Sequence, residues 1–254
     1  MDKMLEGKTA VVTGAGGRIG IAICSRLAEE GAAVVCADLT RENAEKAAET
    51  IRSAGGCALP CQVDVTRSDE VRRMAETALK EFGSVEILVN NAGGSAGLFH
   101  RLSRFENTTE EIWRRIIDLN LNGTLCCIHA LLGQMMERRY GKIINMSSIA
   151  AEKGILDRVD YSAAKGGVLS LTRALALETG KYNINVNCIS PGMVVGAASI
   201  PHQGTWLGRT GEPREIAALV VFLASDDSSF ITGENHTIDG GRVLGVRYHN
   251  REEQ

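Results

Sequence analysis

The chain carries little that would direct it to nucleic acid or to a membrane. Its 28 Lys and Arg nearly balance 31 Asp and Glu, for a formal net charge of -3 over 254 residues. That excludes the strong positive field with which proteins hold nucleic acid or an anionic bilayer, and leaves small molecules as the expected partners. The longest uninterrupted apolar run, Ile216 to Ala224, is far too short to span a bilayer, and Met1 to Gly7 lacks the apolar core of a signal peptide. The expectation is a cytoplasmic protein with no membrane partner.

Cysteine shows no pairing pattern. Cys24, Cys36, Cys57, Cys61, Cys126, Cys127 and Cys188 are odd in number, form no C-x-x-C, and have no histidine near Cys57 and Cys61 at ligand spacing. They read as reduced thiols, with no metal site. Aromatic residues make up only 4% while glycine is frequent, at 28 residues, a composition that suits helices packed closely on a sheet. No repeat, low-complexity tract or linker interrupts the pattern, so residues 1–254 read as a single domain.

What is present is an alternation. Short apolar runs at 9–13, 33–37, 58–63, 87–90, 142–146, 185–189 and 236–238 are separated by helical patterns at 19–30, 41–54, 68–82, 110–138, 160–182 and 212–224. That order predicts α/β architecture: a doubly wound, seven-stranded, mainly parallel sheet flanked by helices. The segment 191–210 has no periodicity and reads as a short substrate lid.

Two constellations carry chemistry. The turn Thr13 to Gly20 follows a strand and opens a helix, where glycines and backbone amides cradle a pyrophosphate; Gly14, Gly17, Arg18 and Ile19 are its candidate contacts. Asp38 ends the next strand, where a carboxylate holds ribose hydroxyls and repels a 2′-phosphate, pointing to NAD. Further along, Tyr161 and Lys165 are four apart and stack on one helix face. A tyrosine base working near neutrality needs its pKa, normally about 10, lowered by about 2 to 3 units. An ammonium about 4 Å away supplies an interaction of that size.

Together with Asp64-Val65, Asn90-Asn91-Ala92-Gly93, Asn120, Ser147-Ser148 and Pro191-Gly192, these residues resemble the short-chain dehydrogenase/reductase family over nearly the whole chain. The resemblance implies a Rossmann-type domain that uses a nicotinamide cofactor, and it gives residues roles. Tyr161 exchanges a proton with the substrate oxygen. Lys165 depresses the tyrosine pKa and holds the nicotinamide ribose. Ser148 binds the oxygen, while Ser147 faces the backbone. Asn120 interrupts its helix and anchors a proton-relay water. Asp64 and Val65 border the adenine; Asn91, Ala92 and Gly93 lie along the cofactor; Pro191, Gly192 and Val194 adjoin the nicotinamide.

Three departures from the family pattern stand out. Arg18 replaces a glycine, so close packing there has to be rearranged, and its guanidinium is left for the pyrophosphate, an anionic substrate or solvent. Gly196 stands where a threonine often contacts the nicotinamide amide. The lid is short, which suggests an open site, with the tail Tyr248 to Arg251 a contributor from a neighbouring subunit. Candidate substrate-lining residues, Ser95 to His100, Ala150 to Ile155, His202 and Trp206, with Arg101, Lys153 and Arg158, favour a small polar substrate such as a sugar, polyol or hydroxy acid. A 3-oxoacyl thioester reductase and a dinucleotide-binding sensor or scaffold are the alternatives. The helices 110–138 and 160–182 suggest a homo-oligomer, a tetramer before a dimer.

Overall fold

The computed structural model describes residues 3–95 and 104–245. Seven strands, β1 (Thr9–Thr13), β2 (Ala33–Asp38), β3 (Ala58–Gln62), β4 (Ile87–Asn90), β5 (Gly141–Met146), β6 (Ile184–Pro191) and β7 (Asn235–Ile238), form one sheet in the order 3-2-1-4-5-6-7. Every pairing in it is parallel. This is the doubly wound Rossmann-type fold.

The inner strands β1, β2 and β4 are buried on both faces, which is why they read as continuous apolar runs, while the edge strands β3 and β7 are only half-buried. Alternate residues serve opposite cores. Ala10, Val12, Val34 and Cys36 pack on one side with Ile23 and Leu27, while Val11, Val35 and Ala37 pack on the other with Leu131 and Met135. The first core is covered by α1 (Arg18–Glu29), α2 (Arg41–Ser53) and α8 (Pro213–Ala224), the second by α3 (Ser68–Phe82), α5 (Gly123–Arg138) and α7 (Val159–Thr179).

Local chemistry sets the helix ends. The Thr40 and Thr109 hydroxyls accept from the amides of Asn43 and Ile112, starting α2 and α4 (Glu110–Ile117). Glu212 and Glu215 form a reciprocal capping box around Pro213 at the start of α8.

Two helical readings need correction. The stretch 110–138 is not one helix: a π-helical turn, Asp118–Asn122, separates α4 from α5. A short helix, α6 (Ala150–Lys153), also lies where no periodicity signalled one. By length and composition the run Glu110–Arg138 is apolar enough to cross a bilayer. Here Ile116, Cys127, Ile128, Leu131 and Met135 are buried in the protein instead.

Sheet order reverses direction between β1 and β4, and a crevice opens at the carboxyl ends of such strands. The segments that leave β1 and β4 meet closely there. A Cβ on Gly14 would lie 2.9 Å from Ala92 Cα, and Gly14 has φ +62°, so this position needs glycine both for contact and for conformation.

Candidate active site

The crevice is a cleft of about 530 Å³ lined, among others, by Gly14, Arg18, Asp38, Ala92, Tyr161 and Val194. Gly17, Ile19, Asp64, Val65, Asn91, Gly93, Ser148, Lys165, Pro191 and Gly192 line it too. Among the predicted site residues, Asn120 stands just behind the wall, fully buried.

The nucleotide half is cross-linked by side chains. Asn91 Nδ2 donates to the carbonyls of Thr13 (2.9 Å) and Gly14 (3.0 Å). Thr13 Oγ1 accepts from the amides of Asn91 (3.1 Å) and Ala92 (3.0 Å). Asp38 Oδ2 accepts from Gly16 N at 2.9 Å, and its Oδ1 accepts from Thr40 N at 3.3 Å and Asn43 Nδ2 at 3.2 Å. Three of its roughly four acceptor sites are therefore used. Holding both ribose hydroxyls requires the Asn43 amide to let go, a partner that nothing in the local sequence signalled. Asp64 is likewise engaged, its Oδ1 accepting from the amide and hydroxyl of Thr66 at 2.9 and 2.8 Å.

The Arg18 departure proves harmless to packing. The close approach belongs to Gly16 and Gly20: a Cβ on Gly20 would fall 2.1 Å from Gly14 O, and one on Gly16 would fall 2.4 Å from Asn43 Cβ. Arg18 is the first residue of α1, and its guanidinium donates to the carbonyl of Val195. It thereby ties the glycine turn to the segment after β6. The cradle fits a dinucleotide: bare backbone at Gly14 and Gly17, a helix N-terminus, and an acidic residue at the far rim.

At the floor, Asn120 sits in the π turn. Its Nδ2 donates to Ile116 O (2.9 Å) and Gly94 O (2.8 Å), and its Oδ1 accepts from Gly94 N (3.0 Å). Lys165 is buried and donates to Met146 O at 2.7 Å. Ser147 Oγ donates to Lys165 O at 2.9 Å, turned to the backbone. Ser148 Oγ accepts from Ala150 N at 3.2 Å, which couples α6 to the site. Gly93 is squeezed between these groups; a Cβ there would lie 2.6 Å from Asn120 Oδ1 and 3.1 Å from Lys165 Nζ.

The electrostatics differ from the reading of the spacing alone. Burial pushes the Tyr161 phenol above its ordinary value, opposed by a hydrogen bond from Ser148 and by the charge of Arg158. Lys165 is not among the groups that lower it. Its ammonium is 5.7 Å from the ring centroid and committed to Met146. Burial holds Lys165 itself down at about 8, with a small opposing contribution from Cys188. The helical spacing brings lysine and tyrosine together, but the depth of the site sets their acidities. In the free protein the phenol keeps its proton at neutral pH.

The lid supplies less of the wall than expected. Pro201 and Arg209 form an antiparallel bridge, and His202 N donates to Gly208 O. Trp206 lies against Gly241, and His202 Nδ1 accepts from Gly204 N at 2.9 Å beside Arg242. His202 and Trp206 thus face the C-terminal turn and are absent from the cleft lining, which Val194 enters from this segment. Residues 96–103, with His100 and Arg101, and the tail Tyr248 to Arg251 lie outside the described residues. Sequence reasoning also passed over Leu119, Met146 and Asn43, all of which line the cleft.

Residues 14–242 match the family model described as enoyl-(acyl carrier protein) reductase. The chain is 38% identical to the uncharacterized oxidoreductase YxbG of Bacillus subtilis over 93% of this chain and 91% of that one. It is 37% identical to the short-chain reductase protein NovJ of Streptomyces niveus, over 92% and 93%. Identity to the 3-oxoacyl-[acyl-carrier-protein] reductase FabG of Thermotoga maritima is 33%, over 94% and 99%. The crystal structure of gox2181 superposes with a TM-score of 0.89 at 31% identity, covering 96% of this chain and 98% of that one.

Proposed function

The chain belongs to the short-chain dehydrogenase/reductase family of oxidoreductases, and on that premise we propose that it transfers a hydride between NAD and a secondary alcohol or the corresponding carbonyl. Its substrate on this reading is small and polar, such as a sugar, polyol or hydroxy acid. The observation that carries the reading is the meeting of Ser148, Tyr161 and Lys165 in the cleft that the glycine turn and Asp38 open.

When bound, the nicotinamide supplies or accepts the hydride. The chain's own residues handle the oxygen and its proton. In reduction the Tyr161 hydroxyl gives its proton to the substrate oxygen, and Ser148 donates a hydrogen bond that stabilises that oxygen as negative charge develops. Lys165 would hold the nicotinamide ribose, and its ammonium lies 5.7 Å from the centre of the Tyr161 ring. Asn120, fixed on Gly94, positions a water toward Lys165. Oxidation runs the same steps in reverse. A phenol that is protonated in the free protein starts in the state that reduction needs. Asp38, followed directly by the 60% exposed Leu39 where a basic residue would be needed to meet a 2′-phosphate, supports NAD over NADP.

The relatives named for acyl-carrier-protein substrates favour a second reading, a 3-oxoacyl thioester reductase. Asp38 argues against it, because such biosynthetic reductases generally use NADPH. Kinetics with both cofactors on an acetoacetyl thioester separate the two. A pure binding protein would have no use for the complete set of Asn120, Ser148, Tyr161 and Lys165. We read the enzyme as cytoplasmic and as a homotetramer. Leu125 on α5 and Leu177 on α7, 44% and 86% exposed, support helix-face association, and light scattering checks it.

The main test is Tyr161→Phe. It should lower kcat by about 10²- to 10⁴-fold, the range of a lost general acid. NADH affinity, read by fluorescence, should stay within a few-fold. Nearly unchanged turnover would assign the proton to another residue.

A further inference from the structure

One polar face of the outer strand β7 converges on a single carboxylate. Asn235 and Thr237 are two apart on the strand, so their side chains point to the same side. Asn235 Nδ2 donates to Glu152 Oε1 at 2.8 Å, and Thr237 Oγ1 donates to the same oxygen at 2.6 Å. A third bond, from Ser190 Oγ to Asn235 Oδ1 at 2.8 Å, extends the chain to β6. Bonds to a carboxylate are the strong ones, and two from one strand hold this side chain in one place.

Glu152 is the third of the four residues of α6. A single helical turn has no stability of its own, and α6 buries only Ala150. Among the described residues, the two bonds to Glu152 are the only hydrogen bonds that a side chain of α6 makes to another element. They pin the turn to β7.

The other end of α6 is the active site. Backbone bonds from Ser147 N to Ile189 O, 2.8 Å, and from Ile149 N to Pro191 O, 3.2 Å, fix the chain on either side of Ser148 against β6. They leave the direction of its hydroxyl open. That direction is set by Ala150 N, which donates to Ser148 Oγ at 3.2 Å from within the turn. Accepting there, the hydroxyl keeps its own proton for a donor role, and it makes the Tyr161 phenol more acidic.

We propose that Glu152 is a positioning residue for Ser148: its bonds to β7 hold α6 in its turn, the turn aims the Ala150 amide, and the amide orients the hydroxyl that meets the substrate oxygen. This rests on the oxidoreductase reading above and deepens it. Glu152 itself is not among the residues lining the cleft, so it acts only through Ser148.

The test is a double-mutant cycle between Glu152→Ala and Ser148→Ala. NADH-dependent reduction of dihydroxyacetone, 2-oxobutanoate and an acetoacetyl thioester is measured with the parent, and the fastest of the three is carried through the series. Ser148→Ala should lower kcat by about 10²- to 10³-fold, as for a lost oxyanion donor. Glu152→Ala should lower kcat by at least about 10-fold in the parent but by less than about 2-fold in Ser148→Ala, because the residue it acts through is gone. NADH affinity, read by fluorescence, should not change. Glu152→Gln, which keeps the accepting oxygen, should restore most of kcat. Thr237→Val, an exposed position that carries no risk to the fold, should reproduce part of the loss. With the corresponding alcohol, the rise of kcat/KM with pH should begin at higher pH in Glu152→Ala, since Ser148 no longer acidifies the phenol.

Hydrogen–deuterium exchange over residues 148–154 reads the same turn without turnover, and it should quicken in Glu152→Ala but not in Glu152→Gln. Losses that add in the double variant, a Glu152→Ala enzyme with the parent's kcat, or exchange that does not change each overturn the assignment. Failure of the oxidoreductase reading looks different. There, the parent reduces none of the three probes, or Tyr161→Phe has no effect, while the exchange still reports on Glu152.

Discussion

The two halves of the cleft are built by opposite means. On the nucleotide side, side chains bridge elements far apart in sequence: Asn91 reaches back to Thr13 and Gly14, Asp38 holds the Gly16 amide, and Gly93 is wedged against Asn120 and Lys165. On the substrate side, the segment after β6 bonds mainly to itself and to the turn at Gly240 and Gly241, as in the bonds from His202 N to Gly208 O and from Leu207 N to Gly240 O. Cofactor geometry is thus a property of the whole fold, whereas substrate geometry is left to loops that can vary without disturbing it.

The strongest way to break the nucleotide half is through Lys165. Its pKa in the folded protein is about 8, below the ordinary 10.5. Below pH 8 the charge is present in both folded and unfolded chains, and its burial costs stability. Between about 8 and 10.5 the folded protein has released this proton while the unfolded chain still holds it, so stability rises with pH. The Tyr161 phenol and the Cys188 thiol, both raised by burial, act in the opposite sense above about 10 and 9, and comparison with Lys165→Met subtracts most of this over the window pH 8 to 10. Relative to Lys165→Met, the parent should gain about 2 to 3 kcal/mol across it, at about 1.4 kcal/mol per pH unit. Urea unfolding at each pH measures the difference. A flat difference would mean that the lysine is not depressed.

Gly93→Ala attacks the same half by volume. The new methyl would fall 2.6 Å from Asn120 Oδ1 and 3.1 Å from Lys165 Nζ, so at least one of these two groups must shift. A displacement of that size should cost about 100-fold in kcat/KM, with circular dichroism unchanged. Normal turnover would show that the Gly94 loop relaxes freely.

How legible each half was follows from the same difference. β1, β2 and β4 were readable because strands buried on both faces are continuous apolar runs, and the glycine turn because its backbone demands show directly as Gly14, Gly16 and Gly20. The π turn at Asn120 was not visible in helical periodicity. It is made by one side chain taking Ile116 O and Gly94 O at once, a tertiary contact. Tyr161 and Lys165 were recognisable by spacing, but their acidities depend on depth, which spacing does not encode. The polarity of His202 and Trp206 suggested a substrate wall, yet they turn to Gly204 and Gly241. In a loop, polarity says little about direction.

Asp38→Ala is a milder break. It removes the acceptor for Gly16 N, Thr40 N and Asn43 Nδ2 together with the repulsion of a 2′-phosphate. The NAD to NADP ratio of kcat/KM should narrow by about 10-fold, roughly the 1.4 kcal/mol that one charge-assisted contact is worth. Part of the change should be a loss with NAD, since the glycine turn loses its anchor. An unchanged ratio would move cofactor choice away from Asp38, with Leu39 the next residue to replace.

The smallest effect should come from a glycine that belongs to neither half. Gly133 lies on the exposed face of α5, and a Cβ there meets nothing within 4 Å. Its backbone is helical, so the glycine contributes only freedom to the unfolded chain, and Gly133→Ala should stabilise by about 0.5 to 1 kcal/mol. For a chain of this size that is a rise in melting temperature of about 1 to 4 °C, with kcat and KM unaltered. Set beside Gly93→Ala, the same added methyl then separates a glycine needed for close contact from one that is merely tolerated. A fall in melting temperature together with a smaller particle by light scattering would show instead that this face of α5 packs against another copy of the chain, and would make Gly133 a contact glycine as well.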